Sequence, residues 1–446
     1  MLIRFLSDMK NLIQNKKVYI YCFSILAFTS AIISFYLNIN LSSINSNADL
    51  NEYLLKYNIN VKSGGSVSDL KTHWVYMQIL AGGIENLFRY ELGHDTYTKL
   101  LNFPLHHIII SQIPIVSTNL KVYLLSFFLI SLSLPILFYK CLIIRFPDIE
   151  KIKLTGLASI IYILPGFQYS AIWGNPHITA LFFLLFSIYF FLKVEKSNYE
   201  NKKYIFLSLI FLAFASYTKQ FYVFLFPFIL YNYFENTSFV FFIKLIFFTA
   251  FISLPGFLFL LKNPLLFKGL STIDITDLRS SILIVASIIF FYILPIIFQY
   301  FLNNYNKKKF SKIFEFKKIF LVFCIFLLCV NNFYYNGLIG GGVIYKLSNI
   351  IFSNNFAFLF CSFLGLFCIL FYSKKVLSNY LLTLLLLTTF STGFFIFQKY
   401  LEPMFFILLL LFYDHKKITE SISKNNLWVI LYFSTYYIGL NFYNKF

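Results

Sequence analysis

About thirteen runs of mostly apolar residues follow one another along this chain, and each approaches the length that a helix needs to cross a lipid bilayer, about 20 residues. Because the hydrocarbon core offers no partners to backbone N–H and C=O groups, such runs must form helices there. The sequence therefore predicts an all-α fold, a polytopic transmembrane helical bundle of about 11–13 spans in a single integral-membrane domain, residues 1–446. The runs lie near residues 18–40, 121–139, 154–169, 176–193, 204–218, 221–234, 244–261, 281–303, 318–336, 353–372, 378–396, 400–413 and 427–444.

The overall composition excludes a water-soluble globule. Hydrophobic residues make up 59% of the chain and charged residues 12%, at a mean hydropathy of +0.74, whereas soluble domains carry roughly 25% charged residues. A net charge of +19 would indicate nucleic-acid binding in a soluble protein, but here the basic residues lie in short connections between apolar runs. The predicted partner is thus the lipid bilayer, with no nucleic acid. The six cysteines lie within or beside apolar runs without a CxxC pair, which indicates neither a disulfide framework nor a zinc site.

Basic residues concentrate in every second connection between the runs. About two thirds of the 37 Lys and Arg residues lie on the side of the N-terminus, and cytoplasmic loops of membrane proteins carry this excess. We therefore expect a bacterial inner (plasma) membrane protein with a cytoplasmic N-terminus and an outer C-terminus. The alternation requires the stretch 204–234 to break at Ser216–Gln220. The basic N-terminal segment precedes a long apolar run without an A-x-A cleavage site, which indicates an uncleaved anchor.

Residues 41–120 form the largest connection and are predicted to be a first extracytoplasmic loop with interfacial helices. A helix is expected over 68–90, because apolar residues recur there at helical spacing and would let it lie along the outer bilayer surface. These residues are Leu70, Trp74, Met77, Ala81, Ile84 and Phe88. A second segment, 96–116, contains Pro104 and Pro114 and is too short to span, so it is expected to dip into the membrane and return.

Polar residues capable of chemistry collect on the predicted outer side. Asp69 and His73 lie four residues apart, so on a helix they share one face and can bind a common group. Lys219 lies in a short polar turn between two apolar runs, where an ionisable group is a functional candidate because burying its charge is costly. The other candidates are His106, His107, Asn175, His177, Gln220, Asp274, Asp277, Arg279, Lys399 and Glu402.

Each candidate also has a purely structural explanation. Asp69 is a residue type favoured as a helix cap, and the adjacent histidines at 106–107 could simply be wetted by lipid headgroups. Lys219 could snorkel to water along its aliphatic stem. Lys399 and Glu402, three residues apart at a helix start, could pair with each other.

Five short segments resemble the successive landmarks of GT-C type integral-membrane glycosyltransferases. They are Asp69–Trp74, Asn102–Leu105, Ala171–Asn175, Ala215–Gln220 and Lys399–Pro403. The family uses polyprenyl-phosphate sugars as donors, which implies such a donor here and a lipid-linked or envelope glycan as acceptor. The resemblance also implies that an acidic residue of the first outer loop acts as catalytic base or binds the acceptor. The matching residue is Asp69, with Asp49 in reserve.

Sugar transfer from a lipid phosphate needs a cation near the leaving phosphate and a carboxylate that orients or deprotonates the acceptor hydroxyl. Lys219, Arg279 and Lys399 are candidates for the first role. Asp69, aided by His73, is the candidate for the second. The remaining substrate-binding candidates are Gln220, His106, His107, Asn175, His177 and Glu402.

No cofactor is predicted from the sequence. The glycines Gly340–Gly342 lack a P-loop lysine and a strand-to-helix context, so we interpret them as a flexible connection in an outer loop. A divalent metal stays open as an alternative, since Asp69, His73 and one of the adjacent histidines at 106–107 could ligate it, although the spacing matches no recognised pattern.

Two other functions stay open. An O-antigen or capsule repeat-unit polymerase joins lipid-linked oligosaccharides on the same face, but tends to carry its largest outer loop late in the chain. A lipid-linked oligosaccharide flippase or other transporter would need charged residues at mid-membrane depth and often an internal repeat, and the spans hold few such residues and no obvious repeat.

Overall fold

The computed structural model describes most of the apolar runs and part of the first long connection. The described residues are 16–38, 66–86, 103–164, 166–262, 275–304, 316–331, 333–335, 340–373, 377–390, 396–423 and 427–443. Asp49 and Asp274 lie outside them, as does the side chain of Asp277.

The described chain is built from α-helices, and its one recorded β contact is an isolated bridge between Ser373 and Tyr413. The helices are α1 Lys16–Asn38, α2 Ser66–Ala81, α3 Leu105–Ser111, α4 Pro114–Thr118, α5 Leu120–Ser131, α6 Leu134–Arg145, α7 Lys151–Ser159, α8 Pro176–Lys196, α9 Lys202–Ser216, α10 Leu225–Asn236, α11 Phe239–Lys262, α12 Ile275–Asn304, α13 Phe316–Val330, α14 Gly342–Phe352, α15 Phe356–Tyr372, α16 Leu377–Phe390, α17 Gln398–Ile407, α18 His415–Ile422 and α19 Leu427–Tyr443.

Within the described residues, five helical stretches are long and apolar enough to cross a membrane by themselves. They are Lys17–Leu37, Leu120–Arg145, Pro176–Lys196, Phe239–Lys262 and Leu278–Tyr300. Four shorter apolar helices accompany them: Ile319–Val330, Gly342–Phe352, Phe356–Tyr372 and Ser378–Thr388. The chain is therefore an integral membrane protein with the all-α, polytopic fold that the sequence predicts.

Some predicted spans are not single helices. The run 154–169 begins as α7, tightens into a 3₁₀ turn at Ile160–Ile163 and, after an extended Leu164, continues as a π-helical turn at Phe167–Ala171. The sequence explains the break, because Leu164 precedes Pro165 and the proline ring disfavours a helical conformation at the preceding residue.

The predicted break at Ser216–Gln220 is confirmed. Helix α9 ends at Ser216, and a 3₁₀ turn at Gln220–Phe224 precedes α10. Helix α9 packs closely against α8 in an antiparallel hairpin. Its connection turns tightly through Asn198 and Tyr199, both with positive φ.

Helix α12 lies at the centre of the bundle and α11 at its edge. In the most apolar stretch of α12, 83% of the residues are buried inside the protein, against 17% in that of α11. Helix α12 packs against α13, α15, α17, α18 and α19. The exposed apolar face of α11 therefore faces lipid.

Helix α2 differs from its prediction in length and in environment. It ends at Ala81 rather than near residue 90, because Gly82 and Gly83 follow and Gly83 adopts φ +141°, which only glycine tolerates easily. Most of the apolar face expected to lie on the bilayer is buried against the protein instead: Leu70, Trp74 and Met77 are buried, and Trp74 contacts the ring of Tyr123. The helix is thus a packed part of the bundle.

The connections predicted to be cytoplasmic meet at one end of the bundle, which we call the basic end. Arg145 forms an ion pair with Glu195 at 3.5 Å and donates to the carbonyl of Tyr413 at 2.9 Å. Lys417 donates to the carbonyl of Phe371. These contacts join the connections that follow α6, α8, α15 and α17, so these four connections lie at one end of the bundle, as the alternation predicts for them.

Candidate functional site

An ion pair joins α2 to α17 at the other end of the bundle. Asp69 lies in the first turn of α2 and Lys399 at the start of α17, and Nζ of Lys399 lies 3.4 Å from Oδ2 of Asp69. The side chain of Lys399 is 4% exposed and that of Asp69 36%. Asp69 is therefore the accessible member of the pair and is more than a helix cap.

Lys219 lies in the turn between α9 and the following 3₁₀ helix. Its backbone N–H still donates to the carbonyl of Ala215 at 2.8 Å, which fixes the turn, and the residue is only 5% exposed. Lys219 is thus buried and does not snorkel. Burial lowers the pKa of its ammonium group to about 7; the charge of Asp69 raises this pKa and that of Lys399 lowers it.

These three residues, Asp69, Lys219 and Lys399, form what we call the charged cluster. Two cations interact there with one carboxylate, and among the described residues Lys219 has no ion pair of its own. A buried cation without a counter-charge is unfavourable. The charged cluster is therefore suited to receive an anion.

Two histidines contact each other beside the charged cluster. Nδ1 of His73, one turn after Asp69 on α2, lies 2.9 Å from Nε2 of His107 on α3. Burial is the main cause that lowers the pKa of both imidazoles well below the usual range, and the charge of Lys219 lowers both further. Both rings are therefore neutral, and one proton lies between the two nitrogens.

The neighbouring His106 has a structural role that its hydrogen bonds define. Tyr123 donates its only hydroxyl proton to the carbonyl of Gly174. His106 Nε2, 3.2 Å from the same hydroxyl oxygen, must then be the donor to it, so His106 Nδ1 accepts from the hydroxyl of Thr179 at 2.8 Å. Burial, followed by the charge of Lys219, lowers the pKa of His106 to about 3, which agrees with a neutral ring. His106 thus ties α3 to α5 and α8.

Aromatic rings surround Lys399. His177, the second residue of α8, stacks on Tyr400 with ring centroids 4.5 Å apart. The Lys399 ammonium lies 5.3 Å from the ring centre of Tyr400 and 5.5 Å from that of Phe397. Asn175, fully buried, precedes the first turn of α8. The segment 175–177 therefore lies beside the charged cluster, and the sequence predicts the same side of the membrane for both.

Glu402 does not pair with Lys399. One turn further along α17, its Oε1 accepts from the N–H of Gly166 at 2.7 Å and from the hydroxyl of Tyr292 at 3.3 Å. Gly166 follows the break in the helix after α7, where a backbone N–H needs an acceptor in the apolar interior. The hydrogen bonds of Glu402 are thus structural, and the carboxylate that forms the ion pair with Lys399 is Asp69.

Arg279 is not brought into the charged cluster. It lies in the second turn of α12, and the cysteine thiol near it is Cys329 at the end of α13. Gln220 opens the 3₁₀ turn next to Lys219. The site that the described residues assemble therefore uses lysines, rather than Arg279, as its cations.

The glycines Gly340–Gly342 are packed against the start of α17, so the expectation of a flexible connection is wrong. Gly341 donates its N–H to the carbonyl of Ile396 at 3.0 Å, and Val343 donates to Oε1 of Gln398 at 3.0 Å. All three glycines are buried, with φ of +81°, +80° and +76°, a left-handed conformation that favours glycine. The run supports the residues that lead into Lys399.

Sequence reasoning missed Tyr123, Thr179 and Tyr400. Tyr123 and Thr179 lie inside apolar runs, where a single hydroxyl gives no recognisable pattern. Tyr400 is the one with a signal, because it is adjacent to Lys399 in a segment that the sequence singled out.

No group of three or more His, Cys, Asp or Glu side chains suited to a metal ion is found among the described residues. His106 is occupied by Tyr123 and Thr179, and His107 faces His73. The arrangement therefore gives no support to the divalent-metal alternative.

No family model matches the sequence, and no curated protein and no solved structure matches the chain significantly. The functional assignment accordingly depends on the chemistry of the charged cluster and the histidines beside it.

Proposed function

We propose that the protein is a membrane glycosyltransferase that transfers a sugar from a polyprenyl-phosphate donor to a lipid-linked or envelope glycan acceptor. The active site would face the outside of a bacterial inner membrane. The observation that carries this proposal is the charged cluster: a partly exposed carboxylate beside two buried lysines, at the end of the bundle opposite the basic end.

The two lysines fit the phosphate of such a donor. A leaving phosphate gains negative charge as the sugar departs, and fixed cations in a water-poor site stabilise that charge strongly. Lys219 and Lys399 are held by backbone turns and aromatic rings rather than by long flexible surface segments. A phosphate placed between them would supply the missing counter-charge.

Asp69 fits the acceptor side of the reaction. Its carboxylate is the exposed half of the pair with Lys399, so an acceptor hydroxyl can reach it from solvent. Once a phosphate binds Lys399, the carboxylate is released to orient the hydroxyl and take its proton. His73 lies one helical turn further along α2.

One observation favours a second candidate, a flippase for lipid-linked oligosaccharides. Glu402 is 3% exposed inside the bundle and bonds to the discontinuous segment that follows α7. Intramembrane carboxylates and broken helices are typical of transporters. In reconstituted vesicles, a flippase would move a labelled lipid across the bilayer without changing it chemically, whereas a transferase would release polyprenyl phosphate.

The test is a transfer assay in reconstituted vesicles with a panel of polyprenyl-phosphate sugars, following release of polyprenyl phosphate. We expect Asp69→Asn and Lys219→Ala to reduce release by about 100-fold or more, as for removal of a general base or an electrostatic group. Asp148→Asn and Lys203→Ala are the matched controls, since both residues are exposed, and should retain activity.

Two results would count against the proposal. Full activity in both site variants would remove the site assignment. No release from any polyprenyl-phosphate sugar by the wild-type protein, at equal expression and with all the acceptors present in native membranes, would remove the function itself.

A further inference from the structure

The contact between His73 and His107 fixes which nitrogen of His73 carries its proton. With 2.9 Å between Nδ1 of His73 and Nε2 of His107, one nitrogen must donate and the other accept. The choice depends on the far nitrogen of His107. That atom, Nδ1, is buried and has no hydrogen-bond partner among the described residues.

If His73 were the donor, His107 would carry its proton on Nδ1, as a buried N–H without an acceptor. Such orphaned N–H groups are rare in proteins because they lose their hydration and gain nothing in return. If His107 is the donor, its Nδ1 carries no proton, and a buried nitrogen without a proton costs less than a buried N–H without an acceptor. The arrangement with His107 as donor is therefore favoured, and it places the proton of neutral His73 on Nε2.

The Nε2 atom of His73 is open to a ligand. Within the described chain it has no hydrogen-bond partner, and since it does not belong to the fully buried side-chain atoms without a partner, part of its surface is accessible. Charged and titratable groups from five segments of the chain lie near His73. They are Asp69 on α2, His106 and His107 on α3, His177 on α8, Lys219 after α9 and Lys399 on α17.

We propose that His107 is a positioning residue that holds His73 as a neutral Nε2–H donor, so that His73 is the third donor, with Lys219 and Lys399, of a phosphate-binding site. This assigns His73 to the phosphate rather than to proton abstraction, which stays with Asp69. The ligand chemistry is a phosphate group, whether free or at the head of a lipid. The inference rests on the proposed function in one respect: that function is what identifies a lipid ligand as a polyprenyl phosphate.

The tautomer can be read directly by nitrogen-15 NMR of the histidine-labelled full-length protein in nanodiscs. We expect the free protein to show a protonated Nε2 and an unprotonated Nδ1 at His73. Inorganic phosphate in one arm and farnesyl phosphate in another should each shift the Nε2–H signal. A tighter response to farnesyl phosphate would identify a lipid ligand, and an equal response a free phosphate.

Two variants of His107 test its role. His107→Phe removes the donor to His73 Nδ1, so the tautomer should become mixed and phosphate affinity should fall about tenfold, the loss expected for a hydrogen bond to a charged group. His107→Gln keeps an amide N–H that can reach the same nitrogen and should restore the tautomer and most of the affinity.

A protonated Nδ1 at His73 in the wild-type protein would overturn the inference, and this measurement needs no variant to fold. Unchanged phosphate binding in His107→Phe would overturn it too. If the tautomer and phosphate binding are found but no sugar is transferred, the inference stands and the proposed function fails.

Discussion

The two ends of the bundle differ in whether a buried cation has an ion-pair partner. At the basic end, the Arg145 side chain is 9% exposed and pairs with Glu195. At the other end, Lys219 is similarly buried, yet among the described residues it has no ion pair and interacts only at a distance with the carboxylate of Asp69, which pairs with Lys399. Unpaired buried charge destabilises a fold. The comparison indicates that the basic end is built for stability and the charged cluster for binding, since local conflicts of this kind are typical of functional sites.

Helix ends sharpen this contrast. At the basic end, Lys417 donates to the carbonyl of Phe371 near the end of α15, and Lys153 donates to the carbonyl of Ser423 just after α18. Lysines commonly satisfy the free carbonyls of helix C-termini in this way. Lys219 lies at a corresponding place after α9 but is turned into the charged cluster. The residue type is the same, and only the partner differs.

Replacing Arg145 or Lys219 by methionine should change the free energy of unfolding in opposite directions. Arg145→Met removes the ion pair with Glu195 and the hydrogen bond to the carbonyl of Tyr413 and should cost about 2 kcal/mol, below the usual figure for a fully buried pair because Glu195 is partly exposed. Lys219→Met removes an unfavourably buried charge and should stabilise the protein by about 1 kcal/mol. Apparent unfolding temperatures in detergent measure both effects.

The pH dependence of this gain provides the control. The pKa of Lys219 is lowered from 10.5 to about 7, so the cost of its charge acts fully below about pH 7 and disappears as the pH rises towards 10.5. The advantage of Lys219→Met should therefore be larger at pH 6 than at pH 9, while Lys203→Met should show none. Destabilisation by Lys219→Met would mean that Lys219 is balanced by a partner and that the two ends do not differ.

The helical architecture could be predicted from sequence because it depends on local pattern. Apolar runs identified most helices, and loop charges located the break at Ser216–Gln220. Where the pattern was weak, the prediction failed: the helix over 68–90 ends at Ala81, because two glycines outweigh the apolar spacing that continues beyond them. The break after α7 was also missed, although Pro165 marked it.

The sequence could predict which residues belong to the candidate site but not which of them contact each other. Polar residues on one predicted side included Asp69, Lys219 and Lys399, but Asp69 and Lys399 are 330 positions apart, and no local pattern pairs them. Sequence spacing favoured Lys399 with Glu402, yet Glu402 is held by Gly166. Such choices depend on tertiary packing, which one sequence does not reveal. The roles of the site residues stay predictions.

Anion binding at the charged cluster should weaken as the pH rises, because Lys219 loses its charge. With a pKa of about 7, the Lys219 ammonium is half deprotonated near neutral pH, so affinity for an anion should fall up to tenfold per pH unit above that value. Farnesyl phosphoglucose is a suitable probe, because a phosphodiester keeps one charge across this range. Titrations from pH 6 to pH 9 in nanodiscs measure the effect.

Lys219→Arg is the matched variant for this titration, because a guanidinium stays charged throughout the range. It should bind the probe with an affinity that no longer depends on pH. A wild-type affinity that stays constant from pH 6 to pH 9 would remove Lys219 from the anion site and would leave Lys399 as its cation.

The smallest effect is expected at Glu402, a buried charged residue that could contribute to stability, as at the basic end, or to binding, as in the charged cluster. If its role is to accept hydrogen bonds from Gly166 and Tyr292, Glu402→Gln keeps an acceptor oxygen and should change stability by no more than about 0.5 kcal/mol, with probe binding unchanged. Glu402→Leu leaves both donors unpaired in the interior and should cost about 1–2 kcal/mol. Unfolding temperatures and probe affinity of the two variants separate these cases. A Gln variant that is stable but no longer binds the probe would place Glu402 in the site with Asp69, and a stable Gln variant that loses lipid translocation would favour the flippase.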